Sequence, residues 1–364
     1  MEPSGPGGPG RIGPYAVLGR LDAGVGGDLT AGVPSAAVLA AAHRFVARSP
    51  DGDRTVILTT PPAGTDPDRF RTEAEAARRL FGPWTAVVDE VGTTAAASEG
   101  TPGGDPVPWY TTPYVPSLPL PAALAAHGGP LPERTVRALG TALAEALAAV
   151  HTTGAAHAGV SPAAVLLTSD GPRLTGYGAV RAATPPGPDG TGPVGLAPGT
   201  VPPEQLAGAR PEPPGDVFAL GAVLACAATG HTVPERDELP EGLRALVSAC
   251  LARDPAHRPS VRRLLDELPG TAPGFGPPPV MDGPPEATVV DGGPSRAAAL
   301  LGPGWLPART VAALVRQSAA VLAAETPPFA EPPPSAMPPH SEMPPHSVRP
   351  PHSHPSPSPH RGPS

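Results

Sequence analysis

The side chains able to do chemistry are unevenly placed in this chain of 364 residues. Five histidines, His340, His346, His352, His354 and His360, crowd its last stretch, and histidines permit metal binding. Their spacing is irregular for a structural site and prolines stiffen the chain around them. The segment therefore reads as a proline-rich interaction or spacer sequence, and no metal site is expected. The two cysteines, Cys226 and Cys250, sit in apolar helical stretches and read as buried thiols of a reducing compartment, not as a disulfide. All 25 basic residues are arginine, and asparagine is also absent. Chemistry that needs a lysine ammonium or an asparagine ligand is thereby excluded. A GC-rich genome explains those two absences most simply. The 16 aspartates show that carboxylates were not lost in the same way.

The elements that must position any site lie between residues 14 and 268. Residues 15–21 alternate as a strand, and Phe45–Ala47 and Thr55–Leu58 flank the turn signal Pro50-Asp51-Gly52 as a hairpin. Residues 24–43 read as a loop or insertion. Phe70, Ala74, Ala77 and Phe81 recur at helical spacing, which predicts a helix over 67–81 stopped by Gly82-Pro83. Residues 86–88 and 109–111 are further short strands. The clearest helix spans 132–151, with Val136, Leu139, Leu143, Leu147 and Val150 on one stripe. Residues 165–167 and 173–175 form a second hairpin. Residues 216–229 are apolar all round and predict a buried central helix, and two amphipathic helices follow near 243–251 and 261–268. Strands first and helices after give an α+β arrangement in two lobes.

The remainder of the composition sets limits. Proline is 60 and glycine 44, so part of the chain is not expected to pack. A net charge of −8 argues against a nucleic-acid partner. No apolar run reaches the ~18 residues of a membrane span, and the N-terminus lacks the pattern of a secretory signal. These features predict a cytoplasmic protein. Residues 1–10 read as a leader, 269–307 as a linker, 308–325 as an amphipathic helix with Val311, Leu314, Val315 and Leu322 on one face, and 326–364 as a disordered tail repeating Pro-Pro-His-Ser. Residues 269–364 are expected to be dispensable for the folding of 11–268.

The order of landmarks resembles the eukaryotic-like serine/threonine protein kinases of actinobacteria. His151-Thr152-Thr153-Gly154-Ala155-Ala156-His157 through Val165-Leu166-Leu167 looks like their catalytic-loop region, and Gly176-Tyr177-Gly178 follows where Asp-Phe-Gly is usual. Pro202-Pro203-Glu204 resembles Ala-Pro-Glu, Asp216 to Gly221 the start of the central helix, and Arg253-Asp254-Pro255 through Arg258-Pro259 the closing signature. The resemblance implies a bilobal protein-kinase-like fold with an N-lobe over 11–115 and a C-lobe over 116–268.

It also implies losses at the positions that carry phosphoryl transfer, which needs a polarising lysine, metal ligands and a group orienting the acceptor hydroxyl. The strand lysine falls at Thr59, the catalytic aspartate at Gly159, a second lysine at Ser161, and the metal-binding asparagine and aspartate at Ala164 and Gly176. Asp22 to Gly27 is the remnant of a glycine-rich loop, with an aspartate that would repel phosphate. Glu73 matches the helix glutamate that pairs with the missing lysine and is left without a partner. The architectural positions persist: His157 and Tyr177 match a spine joining the lobes, Asp216 a carboxylate that holds the catalytic-loop backbone, and Glu204 with Arg258 a buried ion pair. Thr112-Pro113-Tyr114-Val115 resembles the hinge, where the Pro113 carbonyl and the Val115 backbone groups would pair with adenine. The expectation is a pseudokinase that regulates or scaffolds signalling through protein partners, such as an active kinase or a binder of proline-rich motifs, and that takes ATP or another adenine nucleotide without magnesium. The alternative is a low-activity kinase with relocated residues, for which Asp170 and Asp189 are the nearest spare acids.

Overall fold

The computed structural model describes residues 10–21, 42–62, 65–82, 84–95, 106–183, 199–235, 237–270 and 295–324. The glycine-rich remnant at Asp22 to Gly27, nearly all of the 24–43 stretch, Asp189, and the histidine-bearing tail lie outside the described residues.

The alternating segments build an antiparallel sheet from β1 (Arg11–Ile12), β2 (Tyr15–Arg20), β3 (His43–Arg48), β4 (Thr55–Thr60), β5 (Glu90–Ala95) and β6 (Pro106–Pro113), in the order β1-β2-β3-β4-β6-β5. Because side chains alternate across a strand, Tyr15, Val17, Phe45, Ala47, Val56, Leu58 and Trp109 form one cluster on the outer face. Leu18, Val46 and Ile57 point the other way, toward the second lobe. Helix α1 (Pro67–Ala77) starts on Asp66, whose carboxylate accepts the backbone N–H of Asp68 and Arg69, and buries Phe70, Ala74 and Ala77. The helix ends four residues short of the expected limit, and Phe81 is 70% exposed. The apolar period continued past the last helical turn, where it no longer describes one face.

Residues 86–88 are not a strand of this sheet. Thr85 bridges Leu174, and the Ala86 N–H donates to the Leu174 carbonyl, so this segment pairs with the C-lobe instead. The neighbouring strand β5 was hidden by its weakly apolar sequence Glu-Val-Gly-Thr-Thr-Ala.

The C-lobe contains β7 (Leu118–Pro119), α2 (Leu120–His127), α3 (Glu133–His151), the hairpin of β8 (Val165–Thr168) and β9 (Gly171–Leu174), and the short helices α4 (Ala179–Ala182) and α5 (Pro203–Leu206). Helix α6 (Pro213–Thr229) runs through its centre, flanked by α7 (Glu241–Cys250) and α8 (Val261–Glu267). Cys226 and Cys250 are free and buried there, and burial pushes their thiols up to about 11 and about 12.

The core does not stop at Leu268. Two further helices, α9 (Arg296–Leu300) and α10 (Ala308–Ala323), place Ala297, Leu301, Trp305, Leu306, Ala313 and Leu314 in the same apolar cluster as α3 and α6. Residues 295–307 are thus packed structure and not linker. The buried face of α10 is Thr310, Ala313, Leu314, Gln317 and Val321, while Val315 and Leu322 are 63% and 81% exposed. Of the expected face only Leu314 is buried, and Val311, Val315 and Leu322 face outward, because apolar residues occupy both sides of this helix.

Glu145 explains why the extension is held. This buried α3 carboxylate accepts from Trp84 Nε1 at 2.6 Å, Ser295 Oγ at 2.7 Å, Arg296 N at 2.7 Å and Ala297 N at 3.2 Å. It ties the start of α9 to α3 and to Trp84. Replacing it leaves several buried donors unpaired, each costing about 1–3 kcal/mol. Glu145→Ala is therefore expected to lower unfolding stability by at least about 3 kcal/mol in urea titration, and to open residues 295–324 to protease before the rest of the chain.

Candidate functional site

The site lies where the two lobes face each other, and its backbone is set by Asp216. Buried near the start of α6, this carboxylate accepts the N–H of His157 at 2.7 Å and of Ala158 at 2.8 Å, and meets His151 Nε2 at 2.8 Å. Ala158 has φ +53, a left-handed conformation costly for a residue with a Cβ. The Asp216 contact and a bond from Val180 N to the Ala158 carbonyl hold it there. His157 is buried edge-on to Tyr177, with ring centroids 5.6 Å apart.

Gly159 and Gly176 meet backbone to backbone. A Cβ added at Gly159 would lie 1.8 Å from the Gly176 carbonyl oxygen, so no side chain fits while the segments are packed this way. Ser161 is buried and caps a single 3-10 turn, Pro162–Ala164, through its hydroxyl. Ala164 lies beside Gly176, close enough for a Cβ on the latter to stand 3.6 Å away. Neither position carries a side-chain ligand atom, and Thr59 is neutral. The donor set therefore does not fit magnesium with a triphosphate.

Charge enters the cleft from residues that sequence reasoning did not select. Glu73 has a partner: Arg181 of α4 grips its carboxylate in a fork, Nε to Oε1 at 2.8 Å and a terminal nitrogen to Oε2 at 2.7 Å. The same guanidinium donates to the Ala156 carbonyl and lies 4.7 Å from the centre of the Tyr177 ring. The approach is tight enough that a Cβ at Gly178, which has φ +74, would stand 2.2 Å from the Glu73 carboxylate. Arg44 is the second cation. It sits directly across from Thr59 in the β3–β4 register, is 5% exposed, and donates to the Ala163 carbonyl at 2.8 Å. The signal available in the sequence was an arginine on the cleft-facing parity of β3, two residues from Val46.

Asp170 sits in the β8–β9 turn, bonded to Thr168 and Arg173. At the base of the C-lobe, Arg258 forks onto Glu204 at 2.6 and 2.7 Å and stacks 5.0 Å over Phe218. Burial alone would raise the Glu204 carboxyl, but the hydrogen bond and charge of Arg258 outweigh it and hold it below its usual value.

At the hinge, Thr112 is buried, and the Tyr114 N–H is engaged by the Thr55 carbonyl. A cavity of about 140 Å³ adjoins Ile57, Thr112, Pro113, Val115 and Leu166 on the side of Thr85 and Ala86. Leu18, Leu21, Val46, Ile57 and Leu166 form one apolar cluster with Val321 of α10, and Tyr114 and Ala324 pack against it.

No protein-family profile matches the chain. It is 36% identical over 289 residues to the probable serine/threonine-protein kinase PkwA of Thermomonospora curvata, covering 74% of this chain and 35% of that protein. It is 33% identical over 282 residues to the serine/threonine-protein kinase AfsK of Streptomyces coelicolor, covering 71% and 32%. The chain thus spans about a third of the length of these curated relatives. Among solved structures, the kinase domain of Mycobacterium tuberculosis PknI superposes with a TM-score of 0.50 at 24% identity, over 71% of this chain and 96% of that one, a likeness of fold.

Burial holds His157 neutral, lowering its pKa from 6.5 to about 4, with the Asp216 charge opposing only in part. The unfolded chain takes up this proton near 6.5 and the folded chain only near 4, so the unfolded state gains protons first as pH falls. The contribution of His157 to stability is complete above pH 6.5 and is lost between 6.5 and 4, by at most about 3.4 kcal/mol. Thermal melts across that range should show the decline, and His157→Phe should flatten it.

Proposed function

The chain belongs to the actinobacterial serine/threonine protein kinase family, and from that premise we propose that its kinase-like domain acts by binding and not by phosphoryl transfer. It is a pseudokinase, a regulator or scaffold whose partners are proteins. The observation that carries this reading is the contact of Gly159 with Gly176. At Gly159, the position of the catalytic aspartate, a Cβ would meet the Gly176 carbonyl oxygen at 1.8 Å, and Gly176, the position of the metal-binding aspartate, sits at φ +77, where a side chain is strained. Thr59 and Ala164 add a missing cation and a missing ligand. General base catalysis alone is worth ~10²–10⁴ in rate, and here it is lost together with metal binding.

One observation favours the second reading, a slow kinase with relocated groups: Arg44 brings a guanidinium opposite Thr59. That guanidinium donates to the backbone of Ala163. Asp170, meanwhile, is tied up with Arg173 in a turn. Adenine recognition through the Pro113 carbonyl and the Val115 backbone needs no side chain. Any nucleotide binding is accordingly governed by the base and is indifferent to magnesium.

The test is labelled-phosphate incorporation by the full chain, into itself and into a generic protein substrate. The expected result is none above a protein-free control, and none after Gly159→Asp. Incorporation that Arg44→Ala abolishes would overturn the pseudokinase reading. In parallel calorimetric titrations any binding of ATP should be no tighter than that of adenosine. A preference for magnesium-ATP on the order of tenfold would show a phosphate site where none is proposed.

A further inference from the structure

Helix α10 runs from the C-lobe core to the hinge. Near its start, Thr310, Ala313 and Leu314 are buried against the C-lobe. Next, Gln317, 2% exposed, accepts the N–H of Ser117 at 2.9 Å, two residues beyond Val115. One turn later Val321, 4% exposed, enters the cluster of Leu18, Leu21, Val46 and Ile57 from the N-lobe with Leu166 from the C-lobe. A helix rises about 5.4 Å per turn, so one face of α10 reaches the hinge backbone and the space in front of it together.

That space has a defined geometry. Ile57 lies two residues before Thr59 on the same strand face and opposite Thr112. Leu166 lies beneath on β8. A planar base pairing edge-on with Pro113 and Val115 has to slide between the N-lobe sheet and Leu166. Val321 packs in the cluster that contains both Ile57 and Leu166. Its neighbour Leu322 is 81% exposed, so the burial is particular to the face turned into the cleft.

We propose that residues 317–324, the C-terminal end of α10, are the resident occupant of the base subsite: an intrachain plug that shuts the cleft to nucleotide until α10 is drawn away. Val321 supplies the apolar surface that an aromatic base would otherwise supply, and Gln317 supplies an acceptor to the chain beside the hinge. Arg44 closes the same cleft deeper in, through Ala163. This inference rests on the position of the hinge used in the proposed function, and it concerns how that site is regulated.

Hydrogen exchange on the full chain tests it, comparing the wild type with Val321→Asp, Gln317→Ala and the exposed control Leu322→Asp. In the wild type, Ser117, β2 and residues 317–323 should be protected. Val321→Asp should accelerate exchange in all three, on the order of tenfold, while Leu322→Asp leaves them unchanged. Unchanged exchange at Ser117 and β2 in Val321→Asp overturns the plug, as does equal acceleration by Leu322→Asp. If Val321→Asp does not fold, Gln317→Ala removes a single acceptor and reads the same contact at Ser117. Adenosine is then added to each protein. Protection of the hinge by adenosine in the wild type, with α10 still protected, overturns the proposal because base and helix would coexist. A cleft opened by Val321→Asp that adenosine fails to protect supports the plug and instead overturns adenine recognition at the hinge.

Discussion

Asp216 is the interaction on which the rest of the site depends. A buried carboxylate needs hydrogen bonds to offset its desolvation. Here the bonds come from two successive backbone amides, His157 and Ala158, and from His151. Accepting both amides fixes the direction of the chain at that point and holds Ala158 in a left-handed conformation. With this corner set, Val180 and Gly178 bond back to the carbonyls of Ala158 and His157, and Gly159 meets Gly176. The 157–159 loop thereby packs against the segment at 176–180.

Arginine supplies every side-chain cation of the cleft, because the chain has no lysine. The consequence is physical and not only compositional. A guanidinium is planar, offers five donors and forks onto a carboxylate, whereas an ammonium is a mobile point charge. Arg181 therefore binds Glu73 at two points, reaches the Ala156 carbonyl and stacks on Tyr177, tying α1 and α4 to the catalytic-loop region at once. Arg44 similarly joins β3 to Ala163. Both cations are spent on ties between the lobes. Their positions favour one closed arrangement of the cleft.

The C-terminal segment alters what counts as the domain. Trp305 donates its indole N–H to the Ser169 carbonyl, and Thr135 donates to the carbonyl of Trp305. With Glu145 capping α9, residues 295–324 are joined to the C-lobe by apolar and polar contacts alike. Proteins of this family are described by two lobes. Here an added helix pair reaches back from the C-lobe core to the hinge.

The local pattern by itself determined the β3–β4 hairpin, the α3 stripe and the buried α6, because strand alternation, turn residues and helical period are properties of a few neighbouring residues. It also determined that the side chains of Ala164 and Gly176 offer a metal no ligand atom and that Thr59 carries no charge. Only the tertiary structure decided the rest. Glu73 looked unpartnered because Arg181 lies more than a hundred residues away in sequence, and an arginine-rich chain does not announce which carboxylate each guanidinium meets. Strand β5 escaped because its neighbours, not its own apolar content, hold it in the sheet. Helix α10 has apolar residues on two faces, and the choice fell to Gln317 and Val321, which find an amide and an apolar cleft, over Val315 and Leu322, which find water. Periodicity reports which faces a helix could bury, and the surface it meets selects between them.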